Sequence, residues 1–425
     1  MVAKLSSSEI VHFLLLLLVI LLPARVFGEV CRRFNLPAIV GEISAGIIVG
    51  PTVIGTLWPD LFNSLFLEKP SAFQAFDGIA NTGIILLMFI AGFEVDLKQI
   101  RKNGKQAIAI SLTGIVMPFA IGFISVWTLY ELYFQNTSSD KLVTALFFGT
   151  ALSITALSVI AKILLDLDLL KTKIGNIVLT AAMVDDFLGW ILFSIIIKMM
   201  NSQGEDASFW SVIEVILFAA FMLTAGRWLI QKLLFIVGKK QKIGSVLTLA
   251  VCLCILGAVV TESLGVRGVF GAFLVGVAVG DSEYFGHKHR DILHQFTLNV
   301  LAPLFFASVG LRLNFITNFN LEIVLIILVI ACAAKLLGAG IGGAMSGMTR
   351  NESVAVAFGM NARGSQEIVL GLLALQAKII SEPVFEGLVV MTVVTMIISG
   401  PIMKHFFNKE QQKQLGKLSL ETVSI

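Results

Sequence analysis

The sequence predicts an all-α polytopic membrane protein, and two features of its composition carry this prediction. Apolar residues make up 57% of the 425 residues and charged residues only 14%, whereas about a quarter of the residues in soluble domains are charged. The apolar residues also cluster into runs of about 20 residues, the length of helix that spans a bilayer. A soluble core has no room for this much apolar surface, so lipid is the expected solvent. The net charge of only +3 gives no reason to expect nucleic acid as a partner.

Thirteen apolar segments are long enough to be interpreted as membrane-spanning helices, the ninth being short and rich in glycine. They are expected at residues 9–29, 36–57, 73–94, 106–130, 142–165, 174–200, 209–236, 243–263, 266–281, 292–313, 321–348, 352–376 and 383–407. Residues 1–408 are accordingly expected to form one transmembrane domain, with a short cytoplasmic tail at 409–425. The four cysteines lie in or beside apolar segments without metal-type spacing, so we interpret them as reduced packing residues and expect no cofactor.

Basic residues are distributed unevenly between the connections on alternate sides of the predicted helices. The connections after segments 1, 3, 5, 7, 9 and 11, together with the tail, carry most of them, including clusters at 98–105 and 239–242. By the positive-inside rule, this asymmetry predicts an external N-terminus and a cytoplasmic C-terminus in the cell membrane. It also favours segment 1 as a retained span over a cleaved signal peptide, because cleavage would leave the cluster at 98–105 outside.

The thirteen segments divide into six, one and six, which predicts two six-helix inverted repeats. A single linker helix inverts the second set of six helices relative to the membrane. Inverted repeats of this kind are common among secondary transporters. The expected parts are a first repeat at about 9–200, a linker helix at about 209–236 and a second repeat at about 243–407. Small-residue motifs recur in both halves, with Gly46-x-x-x-Gly50 in segment 2 and Gly276-x-x-x-Gly280 in segment 9. We expect these glycines to serve close helix packing rather than ion binding.

Ionisable residues lie inside three of the apolar segments, which makes them candidates for function. Segment 6 holds the adjacent carboxylates Asp185 and Asp186 near its middle, and segment 11 holds Lys335 near its middle. Segment 12 holds Arg363 and Glu367. One aspartate neutralised by the lysine could be a purely structural ion pair.

Two adjacent carboxylates are harder to explain as a structural pair than one. Neighbouring residues on a helix point about 100° apart, so one carboxylate can hold Lys335 while the other faces a water-filled cavity. Two like charges in a low-dielectric site cannot both ionise cheaply. Such a site therefore binds a proton or a hard monovalent cation, but not both. This competition predicts a function in which a cation is exchanged for protons.

Segments 5 and 12 occupy the fifth place in each predicted repeat, and both are polar near their middle. The polar residues are Thr150, Ser153, Thr155 and Ser158 in segment 5 and the run 361–366 in segment 12. Matching interrupted segments indicate a binding site between the halves. If both unwind, they expose carbonyls to a cation and leave opposed helix dipoles, whose ends Arg363 and Glu367 could balance. The alternative is that the hydroxyls only bond to the carbonyl four residues earlier.

Several of these residues resemble the motifs of a known family. The runs 37–51 (PAIVGEISAGIIVGP) and 87–97 (LMFIAGFEVDL) resemble signatures of the bacterial monovalent cation/proton antiporter superfamily, within its second cation/proton antiporter family. The Asp185–Asp186 pair is similar to the double-aspartate motif of the electrogenic sodium/proton branch. Lys335 resembles the membrane lysine of that branch, and 361–364 (NARG) its second crossing helix. The resemblance covers nearly the whole chain and is nearest to germination-type sodium/proton antiporters.

The resemblance implies a fold and a set of residue roles. The fold would have thirteen helices, two crossing discontinuous helices formed by segments 5 and 12, a mobile core domain and a dimerisation domain, working as a homodimer by elevator-like alternating access. Asp185 would pair with Lys335 when no cation is bound. Asp186 would be the principal ligand of Na⁺ and of the proton, assisted by Thr155. Ser365 stands where related members often carry an acid, so the role of Glu367 stays open.

The expected activity is secondary antiport of Na⁺, or of K⁺ or Li⁺, against protons, and not an enzymatic reaction. Exchange would be electrogenic if two protons move per cation, and electroneutral if the lysine stays paired and only one carboxylate cycles. Only residues 408–425 follow the last predicted helix, so the nucleotide-binding domain of glutathione-gated potassium efflux members is not expected. An intramembrane aspartyl protease is disfavoured because the nearest match to Gly-x-Gly-Asp, at 278–281, lacks the first glycine. A channel is disfavoured because interrupted helices suit a gated binding site better than a continuous pore.

Overall fold

The computed structural model describes residues 6–34, 36–95, 104–134, 140–157, 159, 160, 164, 173–201, 205–239 and 243–423. Across these ranges the chain forms helices and the turns that join them, with no strand. Ten helical stretches in the described ranges are long and apolar enough to cross a membrane. The predicted class, a multi-pass all-α membrane protein, is therefore confirmed.

The helices begin and end close to the predicted segments in most cases. In the first half they are α1 (Ser7–Arg33), α2 (Ala38–Val49), α3 (Ile54–Leu57), α4 (Pro59–Phe66), α5 (Pro70–Glu94), α6 (Gly104–Tyr133), α7 (Lys141–Ser153) and α8 (Lys173–Asn201). In the second half they are α9 (Glu205–Phe221), α10 (Arg227–Gly238), α11 (Ile243–Ser263), α12 (Gly268–Gly280), α13 (His287–Phe296), α14 (Ala302–Gly310), α15 (Leu321–Met345), α16 (Arg350–Met360), α17 (Ser365–Gln376) and α18 (Glu382–Val423). Short π-helical turns join α9 to α10 at Met222–Gly226 and α13 to α14 at Thr297–Leu301.

Two departures from the predicted segments have local causes, and a third segment is somewhat shorter than predicted. The second segment breaks after α2 at Gly50–Pro51, because proline lacks the backbone N–H that would continue the helix. The last helix runs past the predicted end at 407, since lysine, glutamine, glutamate and leucine in the tail are good helix formers. The ninth segment is a helix of only 13 residues, α12. Ser158 and most of the basic cluster at 98–105 lie outside the described residues.

The chain divides into two compact units, each assembled from two separate stretches. Unit 1 comprises Met1–Asp96 and Asn201–Phe319, and unit 2 comprises Leu97–Met200 and Asn320–Ile425. Every predicted site residue lies in unit 2.

Glycines allow the helices of unit 1 to pack backbone against backbone. A Cβ at Gly46 on α2 would collide with the carbonyl of Ala307, and one at Gly310 on α14 with the carbonyl of Ile43. The same reciprocal contact joins α5 and α12, where a Cβ at Gly276 would collide with the carbonyl of Phe89. The expectation that these glycine motifs serve close packing is confirmed.

Unit 2 is distinguished by two helices that stop where the predicted segments continue. In segment 5, α7 ends at Ser153, Ile154 is extended, and residues 154–156 are not helical. In segment 12, α16 ends at Met360 and α17 begins at Ser365, with residues 361–364 not helical. The two breaks touch, because the amide of Ala156 donates to the carbonyl of Ala362 at 3.0 Å. The predicted interruption of both segments is therefore present.

Candidate functional site

Helix α8 carries both aspartates into the interior of unit 2. The side chains of Asp185 and Asp186 are 0% and 1% exposed. One turn further along, Gly189 has no side chain where a Cβ would collide with Ile154. Helix α8 can therefore lie directly against the break in segment 5, which brings its carboxylates to the unwound backbone.

Lys335, on α15, is fully buried, and all three N–H donors of its ammonium make hydrogen bonds. Its ammonium lies 2.8 Å from Asp185 Oδ2 and 2.8 Å from the Gly114 carbonyl of α6. It also donates to the carbonyl of Ser153, the last residue of α7. An ammonium has three N–H donors, and these three acceptors use all of them. The contact between Asp185 and Lys335, which the resemblance implied, is present in the structure.

Thr155 lies in the break of segment 5 and contacts Asp185. Its Oγ1 is 2.9 Å from Asp185 Oδ2 and 2.9 Å from the carbonyl of Met360. The family resemblance implied that this hydroxyl assists Asp186. The structure instead positions it between the first aspartate and the end of α16.

Asp186 has a different neighbour from Asp185. Its Oδ2 accepts a hydrogen bond of 2.7 Å from the side-chain amide of Gln366, in the first turn of α17. One carboxylate of the pair thus contacts the charged lysine, and the other accepts a hydrogen bond from a neutral amide. Gln366 lay inside the polar run 361–366 but was not singled out, since a glutamine in an apolar segment has no charge to mark it.

Arg363 and Glu367 form a buried ion pair of 2.7 Å beside the breaks. The guanidinium of Arg363 also donates to the carbonyls of Ala151 and Leu152, at 2.9 and 2.8 Å. Glu367 accepts from the amide of Gly364 at 2.8 Å, at the start of α17. A cation therefore lies at the C-terminus of α7 and a carboxylate at the N-terminus of α17, which is the favourable sign at each helix end.

Several buried oxygen atoms on Asp185 and segment 12 accept no hydrogen bond from a described residue. They are Asp185 Oδ1, Asn361 Oδ1 and Gln366 Oε1. Carboxylate, amide and carbonyl oxygens are the ligands that hard cations prefer. The arrangement is chemically suited to a cation or to protons. Exposed carbonyls were expected where segment 5 unwinds, but neither the individual carbonyls at 151–153 nor that of residue 114 could be named from the sequence.

A family model described as the transmembrane sodium/hydrogen exchanger matches residues 14–409 of the chain. The chain belongs to this family. It is 32% identical over 403 residues to the Na⁺/H⁺ antiporter NhaS4 of Synechocystis, an alignment that covers 94% of this chain and 98% of that protein. It is 27% identical over 403 residues to the Na⁺/H⁺-K⁺ antiporter GerN of Bacillus cereus, with the same shares covered. As a member of this exchanger family, the protein is a transporter and not an enzyme, which excludes the aspartyl protease alternative.

Solved structures show the same fold at low sequence identity. The sodium proton antiporter MjNhaP1 of Methanocaldococcus jannaschii superposes with a TM-score of 0.65 at 14% identity, covering 94% of this exchanger and 97% of that chain. A second structure of the same antiporter, obtained by electron microscopy, gives a TM-score of 0.65 at 16% identity. The exchanger fold is therefore shared across very different sequences.

Proposed function

We propose that this exchanger moves Na⁺ against protons, with Asp186 as the principal ligand of both. One observation carries the proposal: two adjacent buried carboxylates lie at two touching helix breaks, and only one of them holds the buried lysine. The family and its antiporter relatives support cation/proton antiport. Asp185 then serves chiefly to hold Lys335, and Thr155 assists at the site through Asp185.

Arg363 and Glu367 are proposed to compensate the charges of the broken helices. Their contacts with the ends of α7 and α17 support this role. In hydrocarbon, a backbone N–H or C=O group without a hydrogen-bond partner costs several kcal/mol. The pair would therefore keep the unwound segments stable while leaving other oxygens for the transported ion.

The number of protons per cation depends on whether the Asp185–Lys335 pair opens during transport. If it opens and both carboxylates take up protons, two protons move per cation and the cycle is electrogenic. The membrane potential then contributes about 2.3 kcal/mol per 100 mV for each net charge. If the pair stays closed, as its 2.8 Å contact favours, only Asp186 cycles and exchange is electroneutral. Electrogenic exchange is the first candidate, and electroneutral exchange, which the closed pair supports, is the second.

The choice of cation is the other open alternative. Na⁺ is the first candidate because the family model and the relatives carry sodium in their descriptions. K⁺ is the second, since one relative is described as exchanging both. Li⁺ belongs to the same chemical class and is included as a test ion.

The larger architecture is proposed to follow the elevator type of alternating access. Unit 2 is the proposed mobile core domain because the whole site lies within it, so that an ion can move with one body. Unit 1 is the proposed dimerisation domain of a homodimer. Each unit draws on both of the predicted repeats, which supports a plan of two related halves, and we propose thirteen helices in two inverted repeats for this plan. The proposed location is the cell membrane, with the N-terminus outside and the C-terminus in the cytoplasm.

Proton flux in proteoliposomes tests this function. The purified protein is reconstituted with a pH-sensitive dye inside, and Na⁺, K⁺ or Li⁺ is added in turn at several imposed membrane potentials. We expect Na⁺ to drive proton movement in the wild type, and a dependence of the rate on potential identifies the electrogenic cycle. Absence of flux with all three ions, or full flux in Asp186→Asn, would contradict the proposal.

A further inference from the structure

We propose that Pro118, on α6, is a positioning residue that releases the Gly114 carbonyl for the ammonium of Lys335. The proline touches no ion and lies on a different helix from the aspartates and the lysine. It acts through one backbone oxygen. The inference deepens the proposed function and rests on it for its transport measurement only.

The chemistry of proline explains why this oxygen is free to bind a side chain. Pro118 lies inside α6, which continues to Tyr133. In an α-helix, residue 118 would donate its N–H to the carbonyl of Gly114, but proline has no N–H and its ring pushes that carbonyl aside. Within a bilayer, a carbonyl without a donor is costly, so a side-chain donor within reach stabilises it.

The donor it finds is the charged group of the candidate site. Lys335 Nζ lies 2.8 Å from the Gly114 oxygen. The other two donors of the ammonium go to Asp185 and to the carbonyl of Ser153. The three acceptors lie on α6, α7 and α8, so the Gly114 carbonyl is one of three supports that hold the lysine opposite Asp185.

A glycine on α15 provides independent support, because it lets the lysine helix lie against the proline turn. Gly338 follows Lys335 by three residues. A Cβ at Gly338 would lie 2.6 Å from the Thr113 carbonyl and 3.1 Å from Pro118 Cδ. Any larger residue would push α15 away from this turn and increase the distance from Lys335 to the Gly114 carbonyl.

The other prolines inside long helices provide the contrast. Pro23 lies inside α1 and Pro401 inside α18. Their rings free the carbonyls of Val19 and Ile397 by the same reasoning. Among the hydrogen bonds of the described residues, no side chain donates to either of these carbonyls. Pro401→Ala is therefore a matched control, with the same chemical change in the same unit.

A stability cycle tests the inference without any transport assay. Thermal unfolding is measured in detergent for Pro118→Ala, Lys335→Gln and the double variant. Alanine restores the helical N–H, which bonds the Gly114 carbonyl and withdraws it from Lys335. Pro118→Ala should therefore lower the midpoint of thermal unfolding when Lys335 is present. In the Lys335→Gln background, the same change should leave the midpoint unchanged or raise it, since a helix gains a bond there. Pro401→Ala should give the same shift in both backgrounds.

Transport kinetics give the second readout. Pro118→Ala should raise the KM for the cation about tenfold, the factor expected for losing one hydrogen bond to a charged group. The maximal rate should stay within about twofold, a split that general loss of folded protein would not produce. Gly338→Ala should raise the KM in the same direction, which keeps the test valid if one variant folds poorly.

The two kinds of failure are distinguishable. An equal midpoint loss for Pro118→Ala with and without Lys335, or an unchanged KM in both Pro118→Ala and Gly338→Ala, overturns the role of Pro118. If wild-type vesicles show no cation-dependent flux, the proposed function fails, but the stability cycle still decides whether Pro118 acts through Lys335.

Discussion

The two units of this exchanger bury their backbone in different ways. In unit 1, helices such as α2 and α14 approach each other at glycines, and Glu42 is the buried carboxylate in its described part. In unit 2, α7 and α16 stop inside the unit, and buried ionic side chains meet the exposed backbone. An intact helix satisfies its own N–H and C=O groups, whereas a broken helix needs partners from elsewhere.

Within unit 2, the buried charged side chains serve two different purposes. Arg363 and Glu367 bond the ends of broken helices, and Lys335 does so through the Ser153 carbonyl. Asp186 bonds a neutral amide instead and is the candidate for cycling between a proton and a cation. Substitutions in the two units should therefore affect stability and transport in different proportions.

The largest effect is expected at Asp186. Asp186→Asn keeps the size of the side chain but removes the charge that a cation requires, so cation-dependent proton flux should fall by more than about 100-fold. Thermal unfolding should stay close to that of the wild type, because the amide can still bond Gln366. Asp77→Asn, in a half-buried surface pair with Arg312 of unit 1, is the control and should retain its flux. Comparable losses in both variants would remove the distinction between the units.

A change at Asp185 should affect stability more and transport less. Asp185→Asn leaves the ammonium of Lys335 buried without its counter-charge, which should cost about 3 kcal/mol of unfolding free energy. Flux should fall about tenfold, less than for Asp186→Asn, since the lysine loses its fixed position but the second carboxylate stays. Measurement of unfolding midpoints and vesicle flux compares the two variants directly.

The double variant Asp185→Asn with Lys335→Gln sharpens this result. Removing both charges of a buried pair avoids the uncompensated ion, so most of the lost stability should return. A double variant as unstable as Asp185→Asn alone would mean that the pair is not the source of the loss.

In unit 1, the effect should be on packing alone. Gly46→Ala adds a Cβ that collides with the Ala307 carbonyl, and a backbone atom cannot move aside easily. We expect a loss of about 1–3 kcal/mol of unfolding free energy, with the preference among Na⁺, K⁺ and Li⁺ unchanged. Gly78→Ala, on α5, meets nothing within 4 Å and should be neutral or slightly stabilising. Altered ion preference in Gly46→Ala would show that unit 1 helps to select the ion.

The smallest effect is expected from a single hydroxyl. Thr155→Val keeps the shape of the side chain and removes a hydrogen bond to Asp185 or Met360, worth about 1 kcal/mol. Cation KM should rise a few-fold. Thr261→Val removes a buried hydroxyl of unit 1 that bonds the Gly257 carbonyl at 3.0 Å, and it should leave KM unchanged. Equal shifts in KM would assign Thr155 no special part in the site.

Much of the fold followed from the sequence because lipid penalises polar groups so strongly. The spans were visible as apolar runs, and the interruptions of segments 5 and 12 as polar runs within them. The contacts of individual side chains were less accessible. Residues Asp185 and Asp186 differ by one position on the same helix, so helical geometry alone assigned neither to Lys335, and the family resemblance supplied that pairing. Thr155 was expected beside the second aspartate but contacts the first.

The hydroxyl alternative for segment 5 proved correct in part. Thr150 and Ser153 do bond to the carbonyls of Leu146 and Gly149, four residues earlier. The helix nevertheless ends at Ser153, because its terminal carbonyls meet Arg363 and Lys335 instead of continuing the helical ladder. Side chains from the second half of the chain thus stabilise a break in the first.

The sequence by itself determined that this protein crosses a membrane many times and that a few ionisable residues lie inside its apolar segments. Hydropathy and charge act locally along the chain, so a linear pattern reveals them. Only the tertiary structure decided that Lys335, beside Asp185, also bonds the carbonyls of Gly114 and Ser153. These residues come from four helices, and the backbone oxygens among them became available only where a proline or a helix end removed their usual donors.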